Sequence, residues 1–254
     1  MHLPDGIVDS PPLLLGAALI ASGAVATSLS RVAQRGAQRN LAWTGTLTAF
    51  VLALQAVNVP AAPGVSAHAL GASLLTLMLG PAHAIAALAC VVLLQALLFA
   101  DGGVAALGIN LITIAVVPVL SVATLRAWLP EKTTLSMLAI AGTTLGNLLA
   151  AALLSTILVV HAGAPAAFTY GTLIGLQTAA GLVEGVLTAR ALSHLERRAP
   201  RLLFPPHVQL RPEPTRRMWT WAAVGLGVAL VLVPVASKAP DALTVVLAHA
   251  QSAP

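Results

Sequence analysis

The first two residues, Met1-His2, carry the nitrogen groups best suited to coordination chemistry in this chain. A free α-amine, the His2 amide nitrogen and the His2 imidazole can close adjacent chelate rings on one metal ion. A planar set of nitrogen ligands favours Ni(II) or Cu(II) over Mg(II) or Ca(II). Chain termini are more often disordered than functional, so these residues alone indicate a candidate ligand set rather than a site. The amine must also be unblocked, because acetylation would remove its lone pair.

Composition places this candidate ligand set in a membrane protein. Hydrophobic residues make up 58% and charged residues 8% of the 254 residues, and the mean hydropathy is +0.91, far above the balance of a soluble domain. The apolar segment 12–30 follows Asp5 and Asp9 rather than basic residues, so we expect a retained span and no removable leader. The basic residues are scattered and do not form the single face typical of nucleic-acid binding, so we expect no nucleic-acid partner. Cys90 is the single cysteine, which excludes a cysteine-rich metal site.

The apolar runs predict how the chain crosses the membrane. Residues 67–99 are compatible with one long kinked helix or with two helices broken at Gly80-Pro81. Two helices and an external N-terminus place almost all basic residues on the cytoplasmic side, whereas one helix would move the cluster 190–217 outside. We therefore predict an all-α polytopic membrane helix bundle of about eight transmembrane helices, with both termini external. The predicted spans are residues 13–30, 41–58, 67–99 (as two helices), 105–126, 134–160, 169–192 and 219–236.

Four polar residues in or beside these spans are candidates for supporting roles. Gln95 and Asn110 lie within apolar spans, where an amide needs a hydrogen-bond partner, and they could orient ligand histidines or the N-terminal backbone. Asp101 precedes a Gly-Gly pair and either caps the next turn or helix or holds the N-terminal segment. Glu184 is the clearest intramembrane ionisable group, and a functional role and a structural interhelix hydrogen bond are equally supported.

The remaining histidines carry less weight as ligands. His83 is predicted at the cytoplasmic end of its span, far from His2, and His161 borders an outer loop. His249 lies on the outer tail and is at most an auxiliary collector of ions. His194 and His207 fall in the cytoplasmic, proline-rich linker that separates the last span from the rest.

Five segments, taken in order, resemble the CbiM/NikM family, the substrate-capture (S) components of energy-coupling factor transporters for cobalt and nickel. The resemblance covers residues 1 to about 203, and the family's seven-helix core agrees with the predicted topology, leaving one extra C-terminal helix. The segments are Met1–Gly6 (MHLPDG), Pro63–Gly71 (PGVSAHALG), Gln95–Gly103 (QALLFADGG), Ala106–Gly108 with Asn110, and Glu184-Gly185 with Leu187–Ala189.

The resemblance implies a near-planar four-nitrogen site formed by the Met1 amine, the His2 amide and ring, and the ring of His68. On its own, His68 would more often simply begin a helix. The implied cargo is Ni(II) or Co(II), with nickel slightly favoured, and no cofactor is expected to be permanently bound. Thr113 and Ile114 stand where many relatives have an asparagine and a methionine, which puts part of the supporting network in doubt.

The resemblance also implies partners and a location. A membrane coupling (T) subunit and two ATPase subunits are expected, in the inner (plasma) membrane. This chain has no GxxxxGK[ST] motif, so it is not expected to be an enzyme that hydrolyses ATP itself. Residues 238–243 resemble a loop of the small accessory membrane subunit of such systems. We therefore predict two parts: a metal-capture domain over residues 1–203, and a shortened accessory segment over residues 204–254.

Two alternative functions stay open. A stand-alone secondary metal transporter would need charged relay residues in several spans, and only Glu184 is a candidate. A membrane metalloenzyme would need an open coordination position beside a substrate pocket. A filled planar nitrogen set leaves little room for such a position.

Overall fold

The computed structural model describes residues 2–34, 41–57, 59–62, 65–199, 203 and 242–252. These residues form a helical bundle with one short antiparallel β-hairpin. The elements are α1 (Pro11–Gln34), α2 (Leu41–Gln55), β1 (Val59–Ala62), β2 (Val65–Ala67), α3 (Ala72–Leu79), α4 (Pro81–Leu98), α5 (Leu107–Trp128), α6 (Leu135–His161), α7 (Ala166–Arg198) and α8 (Ala242–Ser252). Five of these described helices, α1 and α4 to α7, are long and apolar enough to cross a membrane, so the predicted all-α membrane bundle is confirmed.

The segment between His68 and Asp101 enters the bundle and returns to its starting point. Gly80, with φ of 84°, separates α3 from α4, and Pro81 occupies the start of α4. His68 and Asp101 both contact the ring of His2, so the two ends of the segment lie at the same place. This geometry supports two helices over one kinked helix. However, α3 has 8 residues, or about 12 Å of helix, and is shorter than the full span expected.

Helix α5 changes its hydrogen-bond register directly after Asn110. Residues Leu111–Val116 are π-helical, and the N–H of Val117 donates to the carbonyl of Ile112. Pro118 follows, and a proline has no N–H and crowds the carbonyl four residues before it. The wider π register accommodates the proline without breaking the helix.

Close contacts between α6 and α7 form the core of the bundle. A Cβ at Gly181 would lie 2.8 Å from the Asn147 Cβ, and one at Gly185 would lie 2.8 Å from the Ile140 Cα. Small residues at such positions let helix backbones approach each other within a membrane. Residue 140 lies opposite residue 185 and residue 147 opposite residue 181, so α6 and α7 run antiparallel.

The C-terminal part is described only in pieces. The span predicted at 219–236, most of the linker with His207, and residues 238–241 lie outside the described residues, and the boundary after residue 203 stays a prediction. Helix α8 is described, and its buried Leu243 and Val246 belong to the same hydrophobic cluster as Leu3 and Val8. The two ends of the chain therefore pack into one cluster.

Candidate functional site

Residues 2–8, here named the N-terminal arm, fold back into the helix bundle. His2 is 8% exposed and Leu3 is fully buried. The N–H of Leu3 donates to Asn110 Oδ1 at 2.7 Å, and Asn110 Nδ2 donates to the Leu3 carbonyl at 3.0 Å. That carbonyl also accepts from the N–H of Gly103 at 2.9 Å. Asn110 thus pairs with both the N–H and the carbonyl of Leu3, as a neighbouring strand would. Because these groups are buried, water does not replace the hydrogen bonds.

Asp5 ties the arm to the start of α5. Its carboxylate accepts from the N–H groups of Val104 and Ala106, each at 3.0 Å. Gly103 lies beneath it, and a Cβ there would collide with the Asp5 main-chain nitrogen and carboxylate. This contact was not predicted from the sequence, where Asp5 served only as evidence against a basic leader. The Gly-Gly pair at 102–103 was the signal that another chain segment approaches closely.

The His2 ring is held on both sides by polar side chains. Its Nε2 lies 3.1 Å from Gln95 Oε1, and its Nδ1 lies 3.3 Å from Asp101 Oδ1. A carboxamide oxygen can only accept, so Nε2 must carry a proton and donate to Gln95. The hydrogen bond to His2 lowers the pKa of Asp101, so a carboxylate faces Nδ1 at neutral pH.

His68 is brought to the same place on a separate loop. Its ring lies nearly parallel to that of His2, with 12° between the planes and 5.4 Å between the centroids. The next residues are fixed from α7, because Glu184 Oε2 and Oε1 accept from the N–H groups of Leu70 at 2.9 Å and Gly71 at 2.8 Å. Gln55 Nε2, on α2, donates to the Leu70 carbonyl at 2.7 Å. We name residues 68–71 the His68 loop.

Most of the predicted site residues lie together. His68, Gln95, Asp101 and Asn110 lie around His2 and Leu3 of the arm, and Glu184 holds the His68 loop through its main chain. Metal coordination by these residues stays a prediction. Met1, the remaining predicted ligand residue, lies outside the described residues.

Other predicted candidates lie away from this cluster or make different contacts. His83 is buried at the beginning of α4, His161 ends α6, and the ring of His249 packs on Phe168 with 4.2 Å between centroids. Thr113 donates to the Ile109 carbonyl within its own helix. Over the described ranges, no group of three or more His, Cys, Asp or Glu side chains could hold a metal ion.

Fold and site together define an integral membrane helix bundle with a histidine-bearing polar site built around its own N-terminal arm. Sequence comparison places it more narrowly: the chain belongs to the CbiM family, the cobalt uptake substrate-specific transmembrane region, which matches residues 2–202. It is therefore a substrate-specific membrane component of cobalt or nickel transport.

Individual relatives agree with this assignment. The fused nickel transport protein NikMN of Rhodobacter capsulatus is 30% identical over 256 residues, covering 92% of this chain and 72% of that protein. The cobalt transport protein CbiM of Kyrpidia tusciae is 34% identical over 119 residues, or 46% of this chain and 48% of that protein. A crystal structure of a truncated transition metal transporter matches with a TM-score of 0.69 and 26% identity, covering 78% of this chain and 99% of that chain.

Proposed function

We propose that this chain captures Ni(II) or Co(II) at the outer face of the inner (plasma) membrane, as the substrate-specific subunit of an ATP-driven importer. The proposed ligands are the Met1 amine, the His2 amide nitrogen, His2 Nδ1 and the ring of His68. The main support is the folded-back arm, which brings two buried imidazoles to a centroid separation of 5.4 Å. Metal–imidazole bonds are about 2 Å long, so one ion can reach both rings after small side-chain rotations.

The hydrogen bonds of the His2 ring support chelation through Nδ1. Gln95 Oε1 accepts from Nε2, which fixes the orientation of the ring and leaves Nδ1 on the side of Asp101. Nδ1 would release its proton when it binds an ion. Nδ1 is also the ring nitrogen nearer to the His2 main chain, so it closes the smaller chelate ring with the amide nitrogen. Asp101 faces Nδ1, and its negative charge partly balances that of an arriving dication. Such supporting partners usually set ring orientation and ligand strength at metal sites.

Nickel is the favoured cargo, with cobalt the alternative. A planar set of nitrogen ligands suits Ni(II), and the named relatives include both a nickel and a cobalt transport protein. The buried backbone of the arm also favours a fixed, near-planar arrangement, because Leu3 cannot shift without breaking its hydrogen bonds to Asn110.

Energy for transport would come from other subunits. We propose a membrane coupling (T) subunit and two ATPase subunits as partners, because this chain has no phosphate-binding glycine loop. Residues 204–254 would act as a shortened accessory segment, or a separate small accessory subunit would be required. We further propose that both termini lie outside, so that the arm would meet the ion before it enters the membrane.

Metal content and spectroscopy of the purified protein test the ligand set. His2→Ala, His68→Ala and a one-residue N-terminal extension should each abolish tight Ni(II) binding and the absorption of a planar nickel site. His161→Ala, an exposed histidine at the end of α6, is the matched control and should bind as the wild type does. Unchanged affinity in the extended form would exclude the terminal amine.

Uptake into vesicles tests the energy source. The proposal predicts Ni(II) uptake only when the coupling subunit, the ATPases and ATP are all present. Uptake by this chain alone would instead indicate a stand-alone secondary transporter. A metal-bound structure with an empty in-plane ligand position would favour a metalloenzyme.

A further inference from the structure

We propose that a groove between α6 and α7 binds the phosphate headgroup of an anionic phospholipid. The groove has a volume of about 480 Å³ and lies at the end of the bundle opposite the N-terminal arm. It is lined by the first turns of α6 and the last turns of α7. This inference concerns a different surface and is independent of metal capture.

One face of α7 changes along the groove from apolar to basic. Val186, Arg190, Ser193 and Arg197 recur at the three- and four-residue spacing that keeps side chains on one helix face. Val186 and Arg197 are about 16 Å apart along the helix axis, which is enough to extend from the hydrocarbon into the headgroup region. A phospholipid changes in the same order along its length, from apolar acyl chains to a charged phosphate.

The surface of α7 beside the groove fits acyl chains. Leu182, Val183 and Leu187 are 50%, 61% and 64% exposed. Exposed apolar side chains in a membrane-spanning helix face lipid or a protein neighbour. Ile140 and Val186 continue this apolar surface into the groove itself.

The α6 side of the groove offers hydrogen-bond donors to an anion. Thr134 caps α6, accepting from the N–H of Met137 at 3.2 Å, and Ser136 follows in the first turn. First-turn N–H groups lack partners within their own helix, and the helix dipole adds positive charge there. The hydroxyls of Ser136 and Ser193 form a hydrogen bond of 2.7 Å across the groove, and this bond holds the first turn of α6 against α7.

Two arginines give the groove a positive charge. Arg190, His194 and Arg197 line it, and the described residues that line it include no carboxylate. Across the part of the chain that the structure describes, neither arginine forms an ion pair. Arginine binds phosphate oxygens through paired N–H donors, and basic pockets between membrane helices bind anionic lipid headgroups. Charge and apolar surface together fit a phospholipid better than a free anion.

Native mass spectrometry of the detergent-purified protein tests the proposal. Phosphatidylglycerol and phosphatidylcholine are offered in equal amounts, and we expect preferential retention of phosphatidylglycerol. The double variant Arg190→Gln/Arg197→Gln should lose at least about 10-fold in phosphatidylglycerol retention. Arg198→Gln, in the same last turn but outside the groove, is the matched control and should retain it. The thermal midpoint of the wild type should rise with phosphatidylglycerol and not with phosphatidylcholine.

Several outcomes would overturn the proposal. Equal retention of both lipids by the wild type would do so without any variant, even if the double variant failed to fold. Full retention by the double variant would place the lipid elsewhere. Inorganic phosphate giving the same thermal shift would identify an anion site that needs no membrane. If the double variant kept its lipid but no longer co-purified with the coupling subunit, the groove would be a docking site for an acidic protein segment.

Discussion

The N-terminal arm and the His68 loop reach the same site but are held in different ways. The arm has no regular secondary structure, and its hydrogen bonds come from the end of α4, the following loop and the start of α5. The His68 loop is held through its main chain by one carboxylate on α7 and one amide on α2. The arm is therefore held by side-chain hydrogen bonds from several elements and by the burial of Leu3 and Val8, whereas the His68 loop is held through its main chain by two side chains.

Asn110→Ala should have the largest effect, because it removes both hydrogen bonds between the carboxamide and Leu3. We expect Ni(II) affinity to fall about 100-fold, the upper end of the range for partners of metal ligands. Calorimetric titration measures it. Asn147→Ala, at a buried asparagine of α6, should lower thermal stability and leave affinity unchanged. Equal loss of affinity in both variants would attribute the effect to stability alone.

Gly103→Ala should follow closely, because its Cβ would occupy the place of the Asp5 main chain and carboxylate. We expect about 50-fold weaker binding and faster reaction of the terminal amine with an acylating reagent, since the arm would be displaced. Gly171→Ala has open space around its Cβ and should change neither. A slow amine reaction in Gly103→Ala would show that the arm tolerates the extra methyl group.

Glu184→Gln tests the His68 loop separately from the N-terminal arm. A carboxamide can accept through one oxygen only, so one of the N–H groups of Leu70 and Gly71 loses its partner. Affinity should fall about 20-fold while the reaction rate of the terminal amine stays at the wild-type value. Glu196→Gln, near the exposed end of α7, is the control. Faster amine reaction in Glu184→Gln would mean that the arm and the His68 loop are not independent.

Gln95→Ala should have the smallest effect, about 10-fold on affinity, because the ring of His2 keeps its contacts with His68 and Asp101. The loss would come from the His2 ring, which could rotate once Nε2 has lost its acceptor. Nitrogen NMR of the labelled histidines should show the His2 Nε2 resonance shifted from its wild-type position. Gln34→Ala, at the exposed end of α1, provides the baseline, and an unshifted Nε2 resonance in Gln95→Ala would exclude this role for the amide.

Features set by local composition could be predicted from the sequence. The membrane bundle follows from hydropathy, and the break at Gly80-Pro81 follows from two residues that end helices. Gln95 and Asn110 were identified because amides in apolar spans need partners, and the structure gives each a partner in the arm.

Features that depend on which main-chain groups meet could not be predicted. Glu184 was recognised, but its partners at residues 70–71 are far away in sequence and carry no side-chain signal. The same holds for Asp5 and the N–H groups of Val104 and Ala106. The short length of α3 follows from the His68 loop, which is carried into the bundle and fixed by Glu184 before the helix begins.

The π-helical stretch of α5 sets the direction of the Asn110 side chain relative to the second half of the helix. Each residue turns an α-helix by about 100°, so deleting one residue between 111 and 116 would rotate Asn110 by that angle relative to Val117–Trp128. Its carboxamide would then point away from Leu3 while the second half of the helix kept its packing. Insertions and deletions in this short stretch would thus uncouple cargo binding from bundle assembly, and length variation there would mark homologues that hold their cargo differently.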